Sequence, residues 1–118
     1  MSLPGRLLIH TVTKVRPAAS TDGYGDQALD YGAGATRTTL QARLQQDART
    51  EAHDSLRDAT DQTWTLFAND TDVLATDRFE WTSPTGAMVF EVAGPPEPVY
   101  DSGAQAHHSE VTLRVRRG

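Results

Sequence analysis

Six short stretches of this chain alternate apolar and polar residues with a period of two, and that spacing restricts the fold more than any other feature. Successive side chains of a strand point to opposite faces, so alternation marks a strand with one face buried and the other in water. The first stretch, Leu7-Leu8-Ile9-His10-Thr11-Val12-Thr13-Lys14-Val15, is rich in β-branched residues and is stopped by Pro17. In the second, Leu40, Ala42 and Leu44 alternate with Gln41, Arg43 and Gln45. Trp64, Leu66 and Ala68 define the third, Phe79 and Trp81 the fourth, and Met88, Phe90 and Val92 the fifth. Val111, Leu113 and Val115, separated by Thr112 and Arg114, define the sixth. Short strands parted by turn residues predict an all-β fold, a small antiparallel β-barrel or sandwich of about six strands with long extended loops. With 118 residues the chain reads as one domain spanning 1–118.

Trp64, Phe79, Trp81 and Phe90 are the natural filling of such a core. Thr85-Gly86 fits a tight hairpin between the fourth and fifth strands. Asp77-Arg78, just ahead of Phe79, suggests a turn closed by a local ion pair.

Three segments lack strand periodicity. Residues 16–36 hold Gly23, Gly25, Gly32 and Gly34 with Tyr24 and Tyr31, an unusual length of glycine-rich loop for a compact domain. Residues 46–61 carry Asp47, Glu51, Asp54, Asp58 and Asp61 against Arg49 and Arg57, and their apolar face is too thin for more than a marginal helix. Residues 94–109 open with Gly94-Pro95-Pro96-Glu97-Pro98, a proline density incompatible with a central strand. Ordering a residue costs about 1–2 kcal/mol of backbone entropy, and a small barrel cannot repay that over loops this long. Packing between copies or against other proteins is the expected compensation, with mobile loops as the alternative.

The chemistry of the sequence excludes more than it offers. Without cysteine there is neither a disulfide nor a thiolate metal site. No G-x-S-x-G elbow occurs, and Ser109 beside His108 is not by itself a triad. No H-x-x-x-H or H-E-x-x-H is present, and His107 and His108, as neighbours on a strand, are expected to point to opposite faces rather than share an ion. The acidic run lacks the EF-hand pattern, and Gly23-Tyr24-Gly25 lacks the Lys-Ser/Thr of a phosphate loop. A net charge of −5 disfavours a nucleic-acid groove. We therefore expect no enzyme activity, no catalytic residue, no metal and no cofactor. Met1 to Ile9 carries no apolar run of signal-peptide length and no stretch is long enough for a membrane span, which predicts a soluble product made in the cytoplasm. Tyrosines on a glycine-rich loop suit protein contact, which makes 16–36, through Asp22, Tyr24, Asp30 and Tyr31, a candidate contact segment.

The order of several stretches resembles the head-to-tail stopper proteins of long-tailed phages, particularly those infecting actinobacteria. These are Thr21-Asp22-Gly23-Tyr24-Gly25 with Asp30-Tyr31, Leu44-Gln45-Gln46 with Thr50-Glu51, Arg57-Asp58 leading to Trp64-Thr65-Leu66-Phe67-Ala68, Ala75 to Trp81, Phe90 to Pro96, and His107 to Arg114. Together they span the chain from about residue 7 to the C-terminus. The four-residue Ser83-Pro84-Thr85-Gly86 connection is slightly longer than the resemblance leads one to expect. What it implies is a structural virion protein: a homo-oligomeric ring, hexamer or dodecamer, below the portal and adaptor. Such a ring helps retain packaged DNA without sequence-specific binding and offers a docking surface to the tail terminator or tail tube. It also implies a small antiparallel barrel with extended loops. The closing loop of related stoppers corresponds here to 46–61, so Asp47, Glu51, Asp54 and Asp58 are expected to face the channel. A twelve-fold ring of such chains would carry roughly 60 negative charges, which limits sticking of DNA during passage. Competing readings are another connector component, adaptor or tail terminator, and, in a different class, a small ligand-binding β-barrel. An adaptor calls for a convincing helical bundle, and a ligand barrel for an interior cavity with converging polar groups.

Overall fold

The computed structural model of the chain describes residues 3–21, 24–25, 27–47, 63–100, 103 and 106–116. A short 3-10 turn, Gly5–Leu7, precedes the strands. These are β1 (His10–Arg16), β2 (Ala18–Thr21), β3 (Gln27–Asp30), β4 (Thr36–Gln46), β5 (Thr63–Ala68), β6 (Arg78–Ser83), β7 (Gly86–Val92), β8 (Glu97–Tyr100) and β9 (Ala106–Val115). Seven form one antiparallel sheet in the order β5-β4-β1-β6-β7-β9-β8, and β5 also pairs with β9. That last pairing runs from Thr63 opposite Arg114 to Ala68 opposite Ser109 and closes six strands into a barrel. β8 lies outside the ring of six and, among the described residues, pairs with β9 alone, and β2 and β3 pair as a separate ribbon.

The six barrel strands are those marked by alternation. Val12, Ala42, Leu44, Leu66, Ala68, Phe79, Phe90, Val111 and Leu113 turn inward and are buried. Leu40, Trp64, Trp81, Met88, Val92 and Val115 pack against them, partly buried. Each large apolar side chain taken out of water contributes about 1.5–3 kcal/mol, so the barrel interior is the main source of stability.

The two ends of the interior are filled by different chemistry. At one end His10, Trp81, Trp64 and Phe90 meet edge to face, with ring centroids 5.1, 6.2 and 5.4 Å apart in turn. Towards the other end the alternation that turns Val12 inward brings Lys14 to the same face. This sole lysine is buried, and its Nζ donates to Asp70 Oδ2 at 2.6 Å and to the Asp72 carbonyl at 2.7 Å. Arg16 forks onto Asp77, Nε to Oδ1 at 3.0 Å and Nη2 to Oδ2 at 2.8 Å, and its Nη1 reaches Asp72 at 2.8 Å. Asp77, wholly buried, also accepts the Leu74 amide at 2.8 Å. The link between β5 and β6 is thereby folded onto β1. Its hydrogen bonds to Asp77 and then Asp72 hold the Arg16 guanidinium still more firmly protonated, and the same contact with Arg16 pushes the Asp72 carboxyl down. The expected local pair of Asp77 with Arg78 is thus replaced by one across 61 residues of sequence.

Other expectations are corrected as well. β1 begins at His10 and not at Leu7, because Leu3–Ile9 crosses the outer wall, with Leu3 and Asn69 exchanging two hydrogen bonds at 2.7 and 3.1 Å. Segment 16–36 contains β2 and β3, whose ribbon shows no apolar alternation in the sequence. Segment 94–109 contains β8 and the start of β9. Pro98 is compatible with β8 because that strand pairs on one side only, which agrees with the exclusion of a central strand. The β6–β7 hairpin forms with Ser83 opposite Gly86, so its two loop residues are Pro84 and Thr85, and Gly86 opens β7 at φ +138°.

The buried fork makes a direct test. Asp77→Ala strands Arg16 without its main counter-charge and removes the acceptor of the Leu74 amide, so the free energy of unfolding should drop by about 3–5 kcal/mol in urea titration. Asp72→Ala, which removes only an exposed carboxylate, should leave the midpoint close to that of the parent chain.

Candidate functional site

With the interior filled, the features open to function lie outside it. The β2–β3 ribbon leaves the barrel between Arg16 and Thr36, which are themselves paired partners of β1 and β4. A two-stranded ribbon is marginal by itself, so its root needs anchoring. Tyr31 supplies that anchor. Its hydroxyl donates to the Thr76 carbonyl at 2.7 Å, and the Arg78 guanidinium lies 3.4 Å above its ring. Arg78 Nε is buried with no hydrogen-bond partner among the described residues, and the ring face offers this guanidinium a compensating contact. Arg37 binds Glu80 at 2.6 Å and the Tyr31 carbonyl at 3.3 Å. Arg37 and Arg78 are the cross-strand neighbours of Val15, which explains why an outward-facing valine is only 1% exposed.

Asp30 closes the ribbon's return. Its two carboxylate oxygens accept the amides of Gly32 at 2.8 Å and Gly34 at 3.0 Å. A Cβ on Gly34 would lie 2.5 Å from Asp30 Oδ2, so a side chain at 34 would displace the Asp30 carboxylate from this cap. Beyond the anchor the ribbon is exposed. Leu29 is exposed, and Tyr24, at the far turn beside Gly25 with φ +85°, is 94% exposed. Of the four residues expected to make contacts, Asp30 and Tyr31 therefore serve the ribbon's own attachment. Tyr24 is presented outward, and Asp22 lies outside the described residues.

The acidic segment departs from the other end of β4. Asp47 donates its amide to the Thr63 carbonyl at 3.0 Å, and its carboxylate accepts the hydroxyls of Thr63 at 2.7 Å and Thr65 at 2.8 Å. Asp47 thus clamps β4 to β5. Glu51, Asp54 and Asp58 lie outside the described residues.

A second feature lies on the outer wall of the barrel. Leu3, Leu7 and Leu8, on the strap that crosses the outer wall, form with Phe67 an apolar pocket of about 380 Å³, rimmed by Arg43, Gln45, His108 and Glu110. Its signal in the sequence is Leu7-Leu8, two apolar neighbours that cannot both face one side of a strand.

His107 and His108 also differ from expectation. The pairing of β9 with β8 shifts between Val99 opposite His108 and Tyr100 opposite Ala106, which leaves His107 as the extra residue of a bulge. A bulge re-aims side chains, and here it brings the two Nδ1 atoms to 2.6 Å. His108 Nε2 lies 2.8 Å from Glu110 Oε2. At the Nδ1 contact one ring must donate and the other accept. Among the described residues no group of three or more His, Cys, Asp or Glu side chains is placed to hold a metal ion.

The class these features define is a closed six-stranded antiparallel barrel with one added strand and a projecting ribbon. No family model matches the chain, and no curated protein matches it. Among solved structures it is similar to protein SF1141 from Shigella flexneri 2a, a structural-genomics target solved in solution. The two share 19% identity over 92% of each chain, with a TM-score of 0.58. At that identity the likeness speaks for the fold alone.

His10 gives this architecture a pH response. Its Nδ1 accepts the Leu44 amide at 3.0 Å and so must be unprotonated. Burial, and then the nearby Arg43 charge, push its pKa below the ordinary value. The folded chain therefore holds His10 neutral where the unfolded chain would begin to protonate it. Its contribution to stability is full above about pH 6.5 and is lost as pH falls through the lowered folded value. Urea titrations at pH 8 and pH 5 should show a loss of stability on acidification that His10→Gln reduces.

Proposed function

We propose that this chain is a ring-forming head-to-tail stopper of a long-tailed phage neck, which helps retain packaged DNA below the portal and adaptor and presents a docking surface to the tail. The observation that carries the reading is the placement of the two unusual segments on one strand. β4 continues from the ribbon at Thr36 and leads into the acidic run at Gln46, and these two ends of the strand are about 35 Å apart for an extended strand of this length. A subunit of a ring stacked between other rings needs distinct surfaces at its two ends and two complementary flanks. Among the described residues there is no α-helix, which favours the stopper over an adaptor built on a helical bundle. Carboxylates of the acidic run, Glu51, Asp54 and Asp58, would supply negative charge along the channel and keep DNA from adhering.

Particles assembled without this chain should package DNA, lose it afterwards and remain unjoined to tails, as scored by electron microscopy and by nuclease sensitivity of the genome. Full, tailed particles in its absence would overturn the proposal. Within the same reading, charge reversal of Glu51, Asp54 and Asp58 to lysine should lower the yield of infectious particles, with thermal melting of the isolated chain as the check on folding.

A further inference from the structure

The outer-wall pocket is built on a row of three residues. Arg43 on β4, Phe67 on β5 and Glu110 on β9 are successive cross-strand partners. Their neighbours in the chain, Ala42, Leu44, Leu66, Ala68, Ser109 and Val111, are all buried, so the three side chains of the row stand on the outer face. Phe67 and the strap leucines Leu3, Leu7 and Leu8 give the pocket its apolar lining. Its volume of about 380 Å³ lies in the range of small-molecule sites. Opposite charges stand at the two ends of the row. Lys14, Arg16 and Arg37 each have a carboxylate partner, but Arg43 has no hydrogen bond or ion pair among the described residues. Glu110 is held from one side only. His108 Nε2 donates to its Oε2 at 2.8 Å, and the bulge in β9 sets His107 Nδ1 2.6 Å from His108 Nδ1 behind it. A neutral His108 that donates through Nε2 accepts through Nδ1, so a relay from His107 through His108 fixes the carboxylate. The other oxygen, Oε1, has no hydrogen-bond partner among the described residues.

We propose that this pocket binds a small zwitterion with an apolar body: a short apolar peptide with both termini free. The peptide carboxylate pairs with the Arg43 guanidinium, its ammonium donates to Glu110 Oε1, and its side chains lie on Phe67 among the leucines. The row sets the length. Two strand separations put the Cα atoms of Arg43 and Glu110 about 10 Å apart, and the two side chains form no ion pair with each other. A free amino acid carries both charges on one carbon and engages one end only. Two or three extended residues span about 7–10 Å and engage both. A simple anion would satisfy Arg43 and leave Glu110 beside it as a repelling charge, and a simple cation would do the reverse. A carboxylate already fixed by the histidine relay has little freedom left to lose on binding. The site belongs to the single chain and goes beyond the ring reading, since it needs no second copy.

Titration of the isotope-labelled, full-length chain with the dipeptide Leu-Leu, followed by NMR, tests this. The amide signals of Leu7, Leu8, Arg43, Phe67 and Glu110 should shift, and the indole signals of Trp64 and Trp81, inside the barrel, should not. N-acetyl-Leu-Leu, Leu-Leu amide and free leucine should each bind about 10-fold more weakly or worse, the loss expected for one charge-assisted hydrogen bond. Arg43→Gln should weaken Leu-Leu by a similar factor and leave the affinity for the amide unchanged. Glu110→Gln should weaken Leu-Leu and leave the affinity for the N-acetyl form unchanged. This crossed pattern assigns each terminus to its own residue, which a general loss of structure would not produce, and unmoved indole signals report that each variant is folded. Equal binding of free and blocked peptides would overturn the proposal and leave only an apolar surface. Absence of shifts at the pocket residues with Leu-Leu at millimolar concentration would overturn it as well.

Discussion

Pairing of β5 with β9 is the constraint on which the rest depends. Without it the sheet would have two long exposed edges and its inner face would open to water. With it, the barrel strands gain partners on both sides, and nine buried apolar side chains share one interior. A closed barrel of six strands is narrow, and its lumen is filled by side chains such as Phe79, Phe90, Leu66 and Leu113. Closure in this sense decides where function resides. The interior is spent on stability, and recognition is left to the outer wall and to whatever leaves the barrel ends.

The ends are finished differently, and the difference follows from what each must accommodate. Four aromatic rings fill the end where β5 begins, next to the clamp of Asp47 on Thr63 and Thr65. At the Arg16 end the strands diverge into long connections, and ions do the work that apolar groups cannot do near water. Lys14 and Arg16 bind the Asn69–Asp77 link through side-chain and carbonyl oxygens together. A buried pair of this kind adds little over an apolar replacement, yet removing one member is costly. Its value lies in register, since each fork has a single geometry that fixes the link on β1. The ribbon root is then built against that link, through the Tyr31 hydroxyl on the Thr76 carbonyl.

How far the sequence discloses this structure depends on whether a segment has a face to bury. The barrel strands do, and their alternation named the inward residues from Leu40 to Val115. β2 and β3 do not: Ala18 to Thr21 and Gln27 to Asp30 are held by backbone pairing, which leaves no period in the side chains. β8 is hidden for a related reason, because Pro98 is tolerated at an edge that no sequence pattern marks. The Asp77–Arg16 fork was not legible because its partners are 61 residues apart, and nearness in sequence favoured Arg78. The histidine pair departs from the opposite faces that alternation predicts, because a bulge suspends that alternation. Of the two tyrosines on the glycine-rich loop, Tyr24 is the exposed one. Composition alone could not distinguish it from Tyr31, which the same loop turns back onto Arg78.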